Sequence, residues 1–201
     1  MVTVLIILVL SMASLSEPLN ALEQPGYELV DEVGILQIRK YQAHIVARTL
    51  VTGSFEDVGN QGFKRLAGYI FGGNGQDQAI AMTAPVGLEP HAETSRDSQY
   101  WITFSMPSEY SMEELPAPND SRVDIIEVPE RYLAVLRYKG RWSEERYRTH
   151  ESSLLSLVNE EATWVKQGKP SWSRYNPPFV PWFMRTNEVA IEVIPANQAR
   201  P

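Results

Sequence analysis

The sequence predicts one α+β domain in which two related halves surround a single sheet system, closed or distorted into a barrel. Three observations carry that expectation. The 201 residues suit one compact domain. Apolar residues alternate with a period of two through much of the chain, the mark of half-buried strands. That pattern gives way twice to a helical stripe, each time after a strand and before further strands.

Taken in order, YELVDE (27–32) and ILQIRK (35–40) flank Gly34 and read as a hairpin. Ile35, Gln37, Arg39 and Tyr41 share one strand face, and Leu36, Ile38 and Lys40 the other. AHIVARTLV (43–51) follows as a β-branched, half-buried strand. Ser54 stands as a helix N-cap with Asp57 three residues on, so that side chains meet the orphan N–H groups of the first turn. Phe55, Val58, Gly62, Leu66 and Tyr69 then recur at steps of three and four, widened by Phe63, Ala67 and Ile70, which leaves Asp57, Lys64 and Arg65 toward water. The helix spans 55–71 and stops at Gly72-Gly73-Asn74-Gly75. Strands are expected at 79–88, 99–106, 122–128 and 131–138. A second cycle begins with RYLAVLRYKG, which runs into Ser143 as an N-cap, with Glu144 and Glu145 in the first turn. Tyr147, Glu151, Leu154 and Val158 mark a helix reaching roughly to Trp164, followed by a short WSRYN strand, a proline-rich loop and the strand NEVAIEVI.

Composition narrows the function. A net charge of −7 repels phosphate backbones and anionic lipid, which argues against nucleic acid and membrane surfaces as partners. Cysteine is absent, which removes disulfides, thiolate ligands and cysteine nucleophiles together. Residues 4–10 (VLIILVL) are too few to span a bilayer and match a secretory core segment; small residues such as Ser11, Ala13 and Ala21 follow. No Lys or Arg precedes Arg39, so the usual basic flank is missing. The expectation is a signal peptide over 1–21 and one domain over 22–201, exported to a periplasm in a bacterium or secreted otherwise, with no membrane span left after cleavage. A core strand or buried helix at the N-terminus and an uncleaved membrane anchor are the competing readings.

Catalytic signatures are missing: no G-x-S-x-G, no H-E-x-x-H and no G-x-x-x-x-G-K-[ST]. His44, His91 and His150 are too scattered for a metal cluster. Glu188 and Glu192 share one face of the last strand. They form an acid/base pair if that face lines a cavity, and a solvent-facing edge on the plainer reading. The 5 Trp, 9 Tyr and 6 Phe gather toward the C-terminal half, above all in WSRYNPPFVPWFM (172–184), where prolines hold rings stiffly. A flat, apolar, anionic ligand would stack on such rings, with Lys64 and Arg65 beside an apolar stripe as partners for two propionates. The plainer reading is that these rings cover the sheet.

Six segments in order carry a resemblance: GYELVDEVGILQIRKY, GFKRLAGYIFGGN, AIAMTAPV, YWITFSMPSEY, YNPPF and NEVAIEVI. With Ile38-Arg39-x-Tyr41, Gly62 to Asn74 and Met82 to Val86 in this spacing, the chain resembles the SOUL/haem-binding protein family from about Pro25 to Ile194. The resemblance implies a distorted β-barrel of two pseudo-repeated halves flanked by two main helices. It also implies non-catalytic binding of haem or another tetrapyrrole, as a carrier, buffer or scavenger, against the first helix. The matching residues are Val58, Leu66 and Ile70 as apolar contacts, Lys64 and Arg65 as propionate partners and Met82 as a neighbour. Some family members carry a histidine just before the tyrosine of the first element; here that position is Lys40, a poor ligand when protonated. His44, four residues on and on the same face of an unbroken strand, is the substitute iron ligand. Leu66→Asp is then expected to abolish porphyrin binding. The competing hypothesis is a hydrolase of the similar GyrI-like fold, with Glu188 as its acidic residue. A third is an interaction module that uses the 172–184 loop.

Overall fold

The computed structural model describes residues 22–93 and 98–199. The leader expected over 1–21 lies outside the described residues. Three strands, β1 (Tyr27–Val33), β2 (Leu36–Tyr41) and β3 (His44–Gly53), precede helix α1 (Phe55–Ile70). Strands β4 (Val86–Glu93), β5 (Ser98–Ser105), β6 (Val123–Val128) and β7 (Arg131–Lys139) lead to α2 (Glu144–Glu160), and β8 (Trp164–Arg174) and β9 (Thr186–Pro195) follow. All nine strands form one sheet in the order β1-β2-β7-β9-β8-β4-β5-β3-β6. Each neighbouring pair is antiparallel. Strands β1 and β6 remain edges, so the sheet curls without closing.

The two related halves are visible in the pairing. Strand β3, helix α1 and the hairpin β4–β5 form one, with β5 returning to pair with β3. Strand β7, helix α2 and the hairpin β8–β9 form the other, with β9 returning to β7. They meet where β4 pairs with β8. The same sequence of operations, strand, helix, hairpin, thus runs in toward that seam from both sides.

Ser54 caps α1 as expected, its Oγ accepting the Asp57 N–H at 3.3 Å and donating to Asp57 Oδ2 at 2.6 Å. Ser143 precedes α2 but makes no side-chain cap bond. The second helix ends at Glu160, and Trp164 opens an 11-residue β8 in place of the expected short WSRYN strand. The polar Val165–Lys169 stretch hid it, because those residues are exposed and pairing shifts register between Gln167 and Ser171. The strand expected at 79–88 begins only at Val86: Pro85 has no N–H for a ladder, and only an isolated bridge joins Ala79 to Phe71.

Helix α1 lies over β3 and β5, and α2 over β7, β8 and β9, all on the convex face. Val58, Leu66 and Ile70 face the sheet together with Ala47, Val51 and Ile102. Burial of side chains of that size stabilises by about 1.5–3 kcal/mol each. Gly62 lets α1 approach closely, since a Cβ there would stand 2.3 Å from Ile102 Cγ1. Rings bridge the two helices beneath: Phe55 lies 5.2 Å from Trp172 and 5.3 Å from Tyr147, centroid to centroid.

Candidate functional site

Strand alternation gives the curled sheet two different faces. The concave face encloses a cavity of about 220 Å³ lined by His44, Arg48, Trp101, Arg131, Tyr175 and Glu188 among others. At one end sits a buried ionic cluster. Arg39 (1% exposed) donates from Nη1 to Glu188 Oε1 at 3.0 Å and to Tyr41 Oη at 3.2 Å. Arg137 Nε donates to the same Glu188 oxygen at 2.7 Å, and Tyr175 Oη donates to Oε2 at 2.6 Å. Burial is the largest influence on Arg39 and opposes its charge, but Glu188 and Tyr41 together outweigh it, so its pKa lies above the ordinary arginine value. Burial, then the charge of Glu188, push the Tyr175 phenol well above its usual range and keep it a donor. Glu188 is therefore no solvent-facing edge: it is 3% exposed on a strand flanked by β7 and β8.

On the convex face a second hollow, about 160 Å³ and mostly apolar, opens beside α1 at the β4–β8 seam. Gly59, Asn60 and Phe63 of α1 form one wall, Met82, Ala84 and Val86 line it from the β4 side, and Trp142 with Asn176–Pro178 stands opposite. Arg174 enters the groove close against α1: a Cβ at position 59 would stand 2.7 Å from its Nη1, so a larger residue there would push the guanidinium aside. Its Nε donates to Tyr147 Oη at 3.3 Å, and its guanidinium lies 5.2 Å from the Trp142 ring. Among the described residues no carboxylate pairs with Arg174, and the buried Trp142 Nε1 has no partner.

The structure disperses the residues singled out from sequence. Val58, Leu66 and Ile70 are 0–1% exposed and belong to the helix–sheet core. Lys64 is exposed. Arg65 points away from the groove, its Nη1 donating to Thr49 Oγ1 at 2.6 Å and Leu50 O at 3.1 Å, with Asp120 at 3.9 Å. At about 100° per residue, Arg65 and Phe63 stand roughly 160° apart around the helix, so no ligand meets both. Met82 does line the groove. His44 is not on the face of Lys40: the chain turns at Gln42–Ala43, Lys40 pairs with Glu130 at 2.8 Å, and His44 lines the concave cavity. A ring laid against α1 therefore has the sheet between itself and His44. No group of three His, Asp or Glu side chains able to hold a metal occurs among the described residues.

A model of the family described as SOUL heme-binding protein matches residues 22–192. The chain belongs to that family. Heme-binding protein 2 of Mus musculus is 27% identical over 187 residues, covering 86% of this chain and 91% of the mouse protein. Heme-binding protein 2 of Homo sapiens is 28% identical over 177 residues, covering 85% of each. Among solved structures, the EcmrR C-terminal domain superposes with a TM-score of 0.62 at 10% identity, over 84% of this chain and 98% of that one. A hydrolase from Listeria innocua does so at 0.54 and 9%, over 79% and 91%. Identities that low speak of the fold alone.

Within this SOUL domain, sequence reasoning missed Arg174 and Trp142 as groove residues and the Arg39–Glu188 pair as a buried one. The only local signal was that each charge adjoins an apolar residue of its strand, Arg39 after Ile38 and Glu188 before Val189. His44 also gives a pH prediction. Burial lowers its pKa below the usual 6.5, and the backbone carbonyl of Gln42 at 2.9 Å only partly offsets that. A depressed folded-state pKa gives stability that is present above 6.5 and lost as pH falls through the lowered value. Urea midpoints of the wild type are expected to fall more steeply below pH 6.5 than those of His44→Gln. Parallel pH profiles would remove His44 from the acid response.

Proposed function

We propose that this chain binds haem or a related tetrapyrrole without transforming it, as a carrier, buffer or scavenger outside the cytoplasm. Membership of the SOUL family, with relatives named as heme-binding proteins, is what carries the ligand class. The groove beside α1 is the place we assign to the ring. One apolar edge enters between Phe63, Met82 and Val86, and a propionate meets Arg174, a guanidinium with no carboxylate of its own. Lys64, exposed on the same helix, is the second cation within reach of the rim. Val58, Leu66 and Ile70 form the packed backing of that surface. Affinity then comes from apolar contact and the propionate pairing, without a histidine on the iron, and His44 on the far face takes no part.

Two observations favour binding over hydrolysis. Glu188 faces a cavity, as a general base must, but its oxygens already accept from Arg39, Arg137 and Tyr175. The groove, by contrast, offers apolar surface and a guanidinium that pairs with no carboxylate among the described residues.

The test is a titration with haemin and with iron-free protoporphyrin, following the Soret band and tryptophan quenching. Comparable binding of both is expected, with Arg174→Met weakening each about tenfold, the worth of one charge-assisted pair. Binding of haemin alone with a six-coordinate spectrum would overturn ligand-independent capture and send attention to His44. No saturable binding of either would sink the function.

A further inference from the structure

The 176–184 strap exposes more apolar ring surface than any ligand groove needs. Phe179 is 84% exposed, Phe183 60%, Met184 54% and Trp182 47%. These residues follow one another in a loop stiffened by Pro177, Pro178 and Pro181, with a single 3-10 turn at Trp182–Met184. Exposed patches of that kind mark a docking surface.

Part of the backbone of this strap is already bonded without water. Its three prolines have no N–H to satisfy. The carbonyls of Pro177, Pro178, Val180, Pro181, Trp182 and Met184 all accept hydrogen bonds from within the molecule. Arg185 supplies three of them, with Nε 2.8 Å from Val180 O, Nη2 bound to Pro178 O and its backbone N–H donating to Trp182 O, and Lys139 Nζ reaches Met184 O at 3.3 Å. Groups bonded in this way cost little to carry into a layer poor in water. Charge agrees. Residues 174–187 hold Arg174 and Arg185 and no Asp or Glu, and 137–142 hold Arg137, Lys139 and Arg141 and no Asp or Glu, in a chain of net charge −7. Arg141 lies 4.7 Å from the Trp182 ring, so cation and aromatic share one rim. Glu144 and Glu145 follow at the start of α2, where Glu144 is paired with Arg148 at 3.3 Å.

We propose that this strap is a membrane-docking element, inserting Phe179, Trp182, Phe183 and Met184 into the interfacial layer of a bilayer rich in anionic headgroups, with Lys139, Arg141 and Arg185 at headgroup level. Apolar insertion plus local cationic charge is the pairing by which surfaces lie on a bilayer without spanning it. The acidic remainder of the protein faces away. The strap also walls the groove through Asn176–Pro178, which sets the groove beside the lipid surface. Docking itself does not rest on haem binding.

The chain has no cysteine, so Phe179→Cys accepts one polarity-sensitive fluorophore, and Ser152→Cys on the exposed face of α2 serves as the control position. Both full-length labelled proteins, free of haem, are mixed with vesicles of phosphatidylcholine and phosphatidylglycerol. The label at 179 is expected to shift to the blue, that at 152 to stay unchanged, and Phe183→Ser to weaken the response at 179 about tenfold or more. Flotation of the protein with an unchanged signal at 179 would place contact elsewhere, for instance at the apolar 4–10 run, and overturn the proposal. So would a signal at 179 that appears without lipid as protein concentration rises, which marks a second copy of the chain as the partner. A haem titration of the same samples reports separately on the groove.

Discussion

Leu66→Asp leaves this chain without a cooperative fold. Leu66 is 0% exposed within the cluster that joins α1 to the sheet. The substitution forfeits about 1.5–3 kcal/mol of apolar burial. It also places a carboxylate where no cation stands ready, a further cost of several kcal/mol. Together these rival the about 5–15 kcal/mol by which domains of this kind are stable. Near-ultraviolet circular dichroism and the urea transition are the readouts, with loss of both expected. On the first reading of the helix stripe, Leu66 touched the macrocycle, and the same variant would fold normally and lose only its porphyrin. A native spectrum with a sharp transition for Leu66→Asp would restore that reading and move the ligand site onto the stripe.

The two outcomes separate what a hydrophobic stripe says from what it does not. Period and spacing located α1 nearly to the residue, because Ser54, Asp57 and the apolar steps after them act locally. They also placed the β1–β2 hairpin, β7 and β9, where alternation is strong. A stripe marks what becomes buried, though, and the core claims it first. The groove lies at the margin of the stripe, at Phe63, and at Met82 beyond it, walled by Trp142 and Arg174 from the other half of the fold. That juxtaposition depends on the β4–β8 seam, a pairing of strands far apart in sequence, and no local pattern encodes it. The period of two has a similar limit. It correctly set Gln37, Arg39 and Tyr41 on one face, but it cannot tell a solvent face from the inside of a curl. In this sheet helices cover the convex side and the concave side encloses a cavity, so both faces of β9 are inside. Glu188 is buried for that reason. Strand β8 was read short because exposed residues over Val165–Lys169 carry no alternation to detect.

Glu188→Ala is expected to cost about 3–5 kcal/mol, the usual penalty for removing one member of a buried ion pair. The loss is not mainly that of a favourable contact. Arg39, at 1% exposure, would keep its charge with no carboxylate beside it, since Tyr41 and Gln37 offer only neutral acceptors. Tyr175 would lose the acceptor for its buried hydroxyl as well. Arg137, half in water, would suffer less. Replacing both partners, as in Arg39→Met with Glu188→Leu, removes the stranded charge and is expected to recover most of the stability. Urea unfolding of the two single variants and the double measures the coupling. A Glu188→Ala protein as stable as the wild type would mean that water or a ligand in the concave cavity already compensates Arg39. The same variants separate the functional readings, because Glu188 lines the concave cavity and not the groove beside α1, the two sharing only Tyr175 in their linings. Under tetrapyrrole capture, the folded fraction of Glu188→Gln binds haemin with unchanged affinity. Under catalysis in the concave cavity, that variant stays folded and loses its turnover, and only an unchanged haemin titration together with no turnover to lose leaves Glu188 as a structural anion.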